Sequence, residues 1–327
     1  MAVDVSVVIP TYRRTGLLKK CLMQFRKQHY PAEGFEVLVV SDGPDSSCRE
    51  MIKKFNKENN GIPLIRYLEL EKKKGPAAAR NLGWKNANGE LILFTDDDCL
   101  PLPDYISTYK NAWQNHRLAL VAFTAKMSVP IKEKPTDFEK NTSLLAGDVF
   151  VTANCACTKE ALKKVNGFDE QFTMAWREDS ALEFALIRHN IPVIRMQNVT
   201  VVHPVRRAPW GISIREQRKT MFNVLLYKRD PELFKQKITR GPAWYYYVYL
   251  LLSVILIMAC FYQHYQLMTI VFFIWLAWIS WFIVKRLKGT SQSLKHVSEI
   301  IVTSFIIPFA SLFWTWWGIL KFKKLYV

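Results

Sequence analysis

Three consecutive carboxylates, Asp96, Asp97 and Asp98, follow the uncharged run Leu91-Ile92-Leu93-Phe94-Thr95 and precede Cys99. Such a run reads as a buried parallel strand, which puts the acids at its carboxyl end. Held together they repel one another, and each prefers water to a protein interior. A divalent cation resolves the conflict. Asp supplies hard oxygen ligands suited to Mg²⁺ or Mn²⁺, metals that bridge to phosphate oxygens. Open α/β sheets bind ligands at the carboxyl ends of strands, where this cluster would lie. The plain alternative is an acidic, solvated turn before Pro101, and the triplet alone does not decide between the two. Further on, Glu178 and Asp179 in Arg177-Glu178-Asp179-Ser180 stand just before an amphipathic helix with Leu182, Ala185, Leu186 and Ile187 on its apolar face. The positive end of that helix favours their ionised form.

The elements that must position these acids follow from the apolar pattern. Val5 to Pro10 reads as a buried strand, Thr11 to Arg14 as a turn, and Leu17, Leu18, Cys21, Leu22 and Phe25 as one helix face. Phe35 to Val40 is a second strand, closed by Ser41-Asp42-Gly43-Pro44-Asp45. Met51, Ile52 and Phe55 mark a second helix, and Ile62 to Leu70 a third strand. Gly75-Pro76-Ala77-Ala78-Ala79-Arg80-Asn81 opens a third helix, since alanines are strong helix formers. The alternation predicts a parallel, right-handed, doubly wound sheet whose crevice is faced by Asp42 and by the Asp triplet. Beyond it the pattern predicts strands at 118–123 and 150–158, a helix at 159–165, short strands at 191–196 and 199–203, and basic helical segments from 206 to 240 broken at Asp230-Pro231.

The chain has 327 residues and a formal charge of +17, which calls for an anionic partner: membrane lipid, phosphate-bearing substrate or nucleic acid. The basic residues are dispersed, which argues against nucleic acid. Only Glu299 is acidic after Gly241. The six cysteines show no paired spacing and read as reduced structural thiols, Cys155 and Cys157 sharing one strand face, as in a cytosolic compartment. No secretory leader is expected, because the first residues lead directly into a strand. Trp244–Tyr262 and Leu267–Val284 are uncharged and each is about long enough for a ~30 Å hydrocarbon core. The short gap between them allows only a tight hairpin. Arg240 before it and Lys285-Arg286-Leu287-Lys288 after it put both flanks in the cytoplasm. A third apolar segment, 299–320, contains Pro308 and precedes Lys321-Phe322-Lys323-Lys324. It either spans or lies in the interface, and the basic tail favours the interface. The expected organisation is a cytoplasmic domain at 1–240 and a multi-pass domain at 241–327 in the cell (inner or plasma) membrane.

Over roughly residues 4 to 235 the chain resembles a family-2 glycosyltransferase of the GT-A fold. The resemblance rests on Ser6-Val7-Val8-Ile9-Pro10-Thr11-Tyr12, Val40-Ser41-Asp42-Gly43, Gly75-Pro76-Ala77-Ala78-Ala79-Arg80-Asn81 and Phe94-Thr95-Asp96-Asp97-Asp98. Asn166-Gly167-Phe168-Asp169-Glu170 and Arg177-Glu178-Asp179 complete it. It implies a nucleotide-diphospho-sugar transferase, with a Rossmann-like, mostly parallel sheet followed by C-terminal transmembrane or interfacial helices. By this resemblance Pro10, Thr11, Tyr12, Asp42, Arg80, Asp96 and Asp97 bind the donor nucleotide. Asp98 and His203 hold Mn²⁺ or Mg²⁺, which acts as Lewis acid on the leaving group. Asp179 is the general base, with Glu178 beside it. Trp176 and Asn154 are candidates for sugar or acceptor contacts. The sequence does not identify the donor's nucleobase as uracil, guanine or thymine; family habit favours uracil.

One departure bears on the product. Processive synthases of this family carry Gln-x-x-Arg-Trp after the base, and Arg215-Glu216-Gln217-Arg218-Lys219 does not reproduce it. Two or three membrane segments also cannot readily enclose a translocation pore. The expectation is therefore an inverting, metal-dependent transferase that adds one or a few sugars to a lipid-linked or membrane glycan acceptor. A processive synthase and a non-catalytic membrane-tethered scaffold are the alternatives.

Overall fold

The computed structural model describes residues 3–59, 61, 63–116, 118–147, 150–239 and 241–326. Ile62, expected to open the third strand, and Arg240, counted as a basic flank, lie outside the described residues. The chain divides into two compact units, 1–130 with 143–205, and 131–142 with 206–327. The expected boundary at 240/241 falls inside the second.

The first unit is built on an eight-stranded sheet in the order β3-β2-β1-β4-β7-β6-β8-β5. β1 (Val5–Thr11), β2 (Phe35–Ser41), β3 (Leu64–Glu69) and β4 (Leu91–Thr95) are mutually parallel. Their apolar runs are explained by burial on both faces. Val5, Val7, Ile9, Leu91 and Leu93 enter one core cluster, while Val8, Leu38, Ile92 and Phe94 enter the other. Helices α1 (Thr15–Phe25), α2 (Ser46–Glu58) and α3 (Pro76–Lys85) make the crossovers. The sheet order reverses between β1 and β4, the place where such sheets bind ligands.

The other half of the sheet is mixed. After β5 (Leu100–Pro101) and α4 (Tyr105–His116), β6 (Ala122–Ser128) and β7 (Asn154–Thr158) pair antiparallel, and β7 runs antiparallel to β4. The strand expected at 118–123 is thus displaced along the chain, and Leu118 and Leu120 are exposed instead. The strand expected from Phe150 starts only at Asn154. The two short strands expected at 191–196 and 199–203 are one, β8 (Val193–Val202), which takes up its irregularity as register shifts against Lys126 and Met127 of β6. α6 (Lys159–Lys164) ends at Asn166-Gly167, both at positive φ. α7 (Glu178–Arg188) begins one residue after Arg177, itself at φ 72°, so Glu178 and Asp179 form its first turn rather than precede it.

The second unit is helical: α5 (Asp137–Ser143) for the part up to Thr142, α8 (Ile212–Glu216), α9 (Met221–Arg229), α10 (Pro231–Lys237), α11 (Trp244–Phe261), α12 (Tyr265–Leu287) and α13 (Leu294–Phe322). Asp230 caps α10 through Leu233 N, which is why Asp230-Pro231 breaks the preceding helix. α11, α12 and α13 are each long and apolar enough to cross a membrane. The third apolar segment forms one 29-residue helix running through Pro308. Arg286 is not a free flanking charge. It is half-buried, ion-paired with Asp137 at 2.7 Å and bonded to Thr303 and Ser304.

Candidate active site

Every acid singled out in the parallel half lies at a carboxyl end of the sheet, and α3 ties them together. At the end of β2, Asp42 Oδ1 accepts hydrogen bonds from the backbone N–H of Lys74 (2.7 Å) and Gly75 (2.8 Å), fixing the entry to α3. Gly75 sits at φ +103°, and a Cβ there would lie 2.6 Å from the Thr173 carbonyl oxygen, so only glycine lets α3 abut the segment leading to α7. Asn81, one turn on, receives Phe168 N and Trp84 Nε1 on its carbonyl and donates its amide to Phe168 O and Glu170. Between these anchors Arg80 is buried. It donates to Asp96 at 2.7 Å and to Glu178 at 3.2 Å, and its guanidinium stands over the Phe168 ring at 5.7 Å.

The triplet is divided in role. Asp97 turns inward, receiving Thr11 Oγ1 at 2.7 Å and Arg14 at 3.1 Å. Burial pushes its carboxyl up to about 6, against the pull of Arg14 and Thr11. Asp96, partly open, faces Arg80. Asp98 and His203 are both buried, with His203 Nε2 3.6 Å from Asp98 Oδ1. Their ligand atoms and the Cys99 sulfur lie within 4.8 Å of one another, and His203 Nδ1 has no hydrogen-bond partner among the described residues. A carboxylate and an imidazole at this spacing fit Mn²⁺ or Mg²⁺. Burial first, and then Asp96 and Asp98, push the Cys99 thiol well up, and its soft sulfur suits Mn²⁺ or Mg²⁺ less than the oxygen and nitrogen beside it.

Glu178 is buried and Asp179 half-buried. Burial raises both carboxyls, helped at Glu178 by the neighbouring Asp179 charge and opposed by Arg80. Asp179 Oδ1 accepts Ser180 N at 2.6 Å. Trp176, exposed, carries Arg177 over its ring at 4.7 Å. Tyr12 is half-buried with Lys73 Nζ 4.0 Å over its ring, and Pro10 pairs with Val40 inside the sheet. Asn154 pairs with Thr95 next to the acidic strand end, but its side chain points into the fold. It is fully buried, with its amide bonded to Ala125 O and Lys126 O and its carbonyl oxygen to Tyr109 and Thr200, so it braces β6, β7 and β8. Arg14 and Asn81 were missed as site-shaping residues. The signal for Arg14 was a basic pair in the turn facing three acids, and for Asn81 its place beside Arg80.

The family model for glycosyl transferase family 2 matches residues 6–172, just over half of the 327. The chain belongs to this family. Among curated relatives it is 26% identical over 171 residues to glycosyltransferase AglE of Haloferax volcanii, covering 50% of this chain and 55% of that one. It is 26% identical over 283 residues to validoxylamine A glucosyltransferase of Streptomyces hygroscopicus subsp. jinggangensis, covering 72% and 64%. The matches thus span less than two thirds of either relative. Solved structures share the GT-A fold. Mannosyltransferase PcManGT of Pyrobaculum calidifontis, in complex with GDP-Man and Mn²⁺, gives a TM-score of 0.55 at 20% identity over 70% of this chain and 65% of that one. Staphylococcus aureus TarS 1–349, in complex with UDP-GlcNAc, gives 0.54 at 16% identity over 99% and 93%.

Proposed function

We propose that this family-2 chain is an inverting, metal-dependent glycosyltransferase. It moves a sugar from a nucleotide-diphosphate sugar, a UDP-sugar in first choice, to a hydroxyl of a lipid-linked or membrane glycan. The observation that carries the reading is Arg80, which joins Asp96 on the acidic strand end to Glu178 beside Asp179. It brings a phosphate-and-metal cluster and a candidate base into one crevice, and a solvated acidic turn would have no use for it. The relatives named above are sugar transferases, and two structural neighbours hold nucleotide sugars, one with Mn²⁺.

In this reading Pro10, Thr11, Tyr12 and Asp42 line the nucleotide end, with Asp96 and Asp97 beside them. Arg80 acts through Asp96 rather than by touching the nucleotide. Asp98 and His203 would hold the cation, which offsets the diphosphate charge on the leaving group. Asp179 Oδ2 takes the acceptor proton as the hydroxyl attacks the anomeric carbon. Its raised pKa brings it nearer the operating pH, where a base works best. Trp176 offers an aromatic face to an acceptor sugar. The first 240 residues form the catalytic part on the cytoplasmic side, and the helices from 241 on hold the chain at the cell membrane, close to a lipid-linked acceptor. Donor turnover in detergent tests the reading: it requires Mn²⁺ or Mg²⁺, and Asp179→Asn lowers it by about 10²–10⁴ with donor binding retained. Metal-independent turnover, or an active Asp179→Asn, would falsify it.

A further inference from the structure

α11 and α12 pair as a hairpin: Trp275 stacks on Tyr249 at 5.6 Å, and Trp278 Nε1 donates to Tyr245 O at 3.2 Å. Leu251, Ile257, Phe261 and Phe273 on its outside are exposed. α13 touches this hairpin and has a second neighbour besides. The stretch from Gly211 to Phe234 accompanies it, and their contacts advance in step. Gly211 N donates to Glu299 at 2.7 Å, and Thr220 Oγ1 to Ser311 O at 3.3 Å. Arg218 stands over Trp314 at 5.3 Å. A Cβ on Gly318 would lie 2.9 Å from Met221 Cα, so the two helices approach closely there. Lys228 Nζ donates to Phe322 O at 2.9 Å, and the Phe234 ring lies 5.6 Å from Tyr326.

That companion stretch exposes Arg215, Arg218, Lys228 and Arg229. Were α13 to cross a bilayer, the stretch would cross beside it and carry these charges into hydrocarbon, where they are expensive to hold. Of the ring and hydrogen-bond contacts of α13 to the hairpin, those at Tyr249 and Arg286 fall toward the end that bears Lys285 and Lys288, and the one at Trp275 falls midway along α12. On the side of α13 turned away from Gly211–Phe234, Val302, Ile306, Phe309, Phe313, Trp317 and Leu320 recur every three or four residues and are exposed, Phe309 at the edge that also touches Tyr249. Residues 206–327 carry 17 Lys and Arg against 4 Asp and Glu, matching an anionic surface.

We infer that α13 lies flat in the surface of an anionic bilayer. Its exposed stripe enters the boundary between headgroups and acyl chains, and the basic stretch Gly211–Phe234 stands on its watery side. The inference rests on the membrane anchoring proposed above and adds that only two of the three apolar helices span. It places the 288–293 loop and the tail after Phe322 on one side of the membrane.

Single cysteines in full-length Cys260→Ala protein test it, since the other cysteines are buried. Spheroplasts of expressing cells are treated with a membrane-impermeant maleimide. Leu325→Cys and Gln292→Cys should both stay unlabelled until the membrane is opened, while His264→Cys at the hairpin turn labels from outside. Labelling of Leu325→Cys from outside, with Gln292→Cys protected, overturns the inference and leaves the hairpin standing. Protection of His264→Cys removes the hairpin itself and this inference with it. As a second readout, spin labels at Val302→Cys, Phe313→Cys and Leu320→Cys should report one shallow depth. A spanning helix would stagger them by about 1.5 Å per residue, and a progression of that size refutes the flat arrangement.

Discussion

Arg80→Met removes the charge that joins the two ends of the crevice while keeping much of the side chain's bulk. Two carboxylates lose their partner: Glu178, whose side chain is 5% exposed, and Asp96, 31% exposed. Taking one member from a buried ion pair costs about 3–5 kcal/mol, because a charge is left uncompensated. Two features place the loss at the low end of that range. Water reaches Asp96, and burial together with Asp179 already favours the protonated form of Glu178, which can then escape being stranded as an anion. The expected loss is about 3 kcal/mol. For a unit of this size that lowers the melting temperature by about 6–12 °C. Arg80→Lys, whose ammonium can reach only one acid, should lose roughly half as much. The sign with pH is also set. A carboxyl raised in the folded state favours folding below its folded pKa and opposes it above. The deficit of Arg80→Met should therefore shrink as pH falls from 8 to 6. Differential scanning of the detergent-solubilised protein measures both effects. An Arg80→Met melt within about 2 °C of the native protein at pH 8 would refute the claim that Arg80 compensates these acids.

Asp97, raised from 3.8 to about 6 by burial, binds its proton more tightly in the folded chain. The metal-free protein should thus lose up to about 3 kcal/mol as pH rises from about 4 to 6 and change little above; a flat melt across that window contradicts it. Gly75→Ala forces a Cβ against the Thr173 backbone at positive φ and should cost about 2 kcal/mol or more, visible as a lower melt. For the cation, calorimetric Mn²⁺ titration should show affinity about 10- to 100-fold weaker in His203→Ala and weaker still in Asp98→Ala. Native affinity in both variants would move the metal elsewhere.

The parallel half of the sheet was readable because Val5 to Ile9 and Leu91 to Phe94 are buried on both faces, and nothing but a parallel strand uses so long an uncharged run there. The mixed half was not, because β6 and β7 interleave polar and small residues whose partners come from distant sequence. Leu118 and Leu120 attracted a strand assignment through their type alone. The acids were legible from their clustering, and their division of labour was not. Only folding separates Asp97, held by Thr11 and Arg14, from Asp98 beside His203. Asn154 shows the same limit. A polar residue opening a strand looks available for a ligand until Tyr109, Thr200 and two carbonyls take every group it has.

Asn81 and Gly167 grip each other so closely that a methyl on the glycine would lie 2.5 Å from the asparagine oxygen. The strand-end acids and the turn bearing Asp179 are therefore both fastened to a single ten-residue rod, α3, each at its own flank of Arg80. Redesign of donor preference at one flank would be felt at the other, so swaps between homologues should exchange that rod together with both of its attachments.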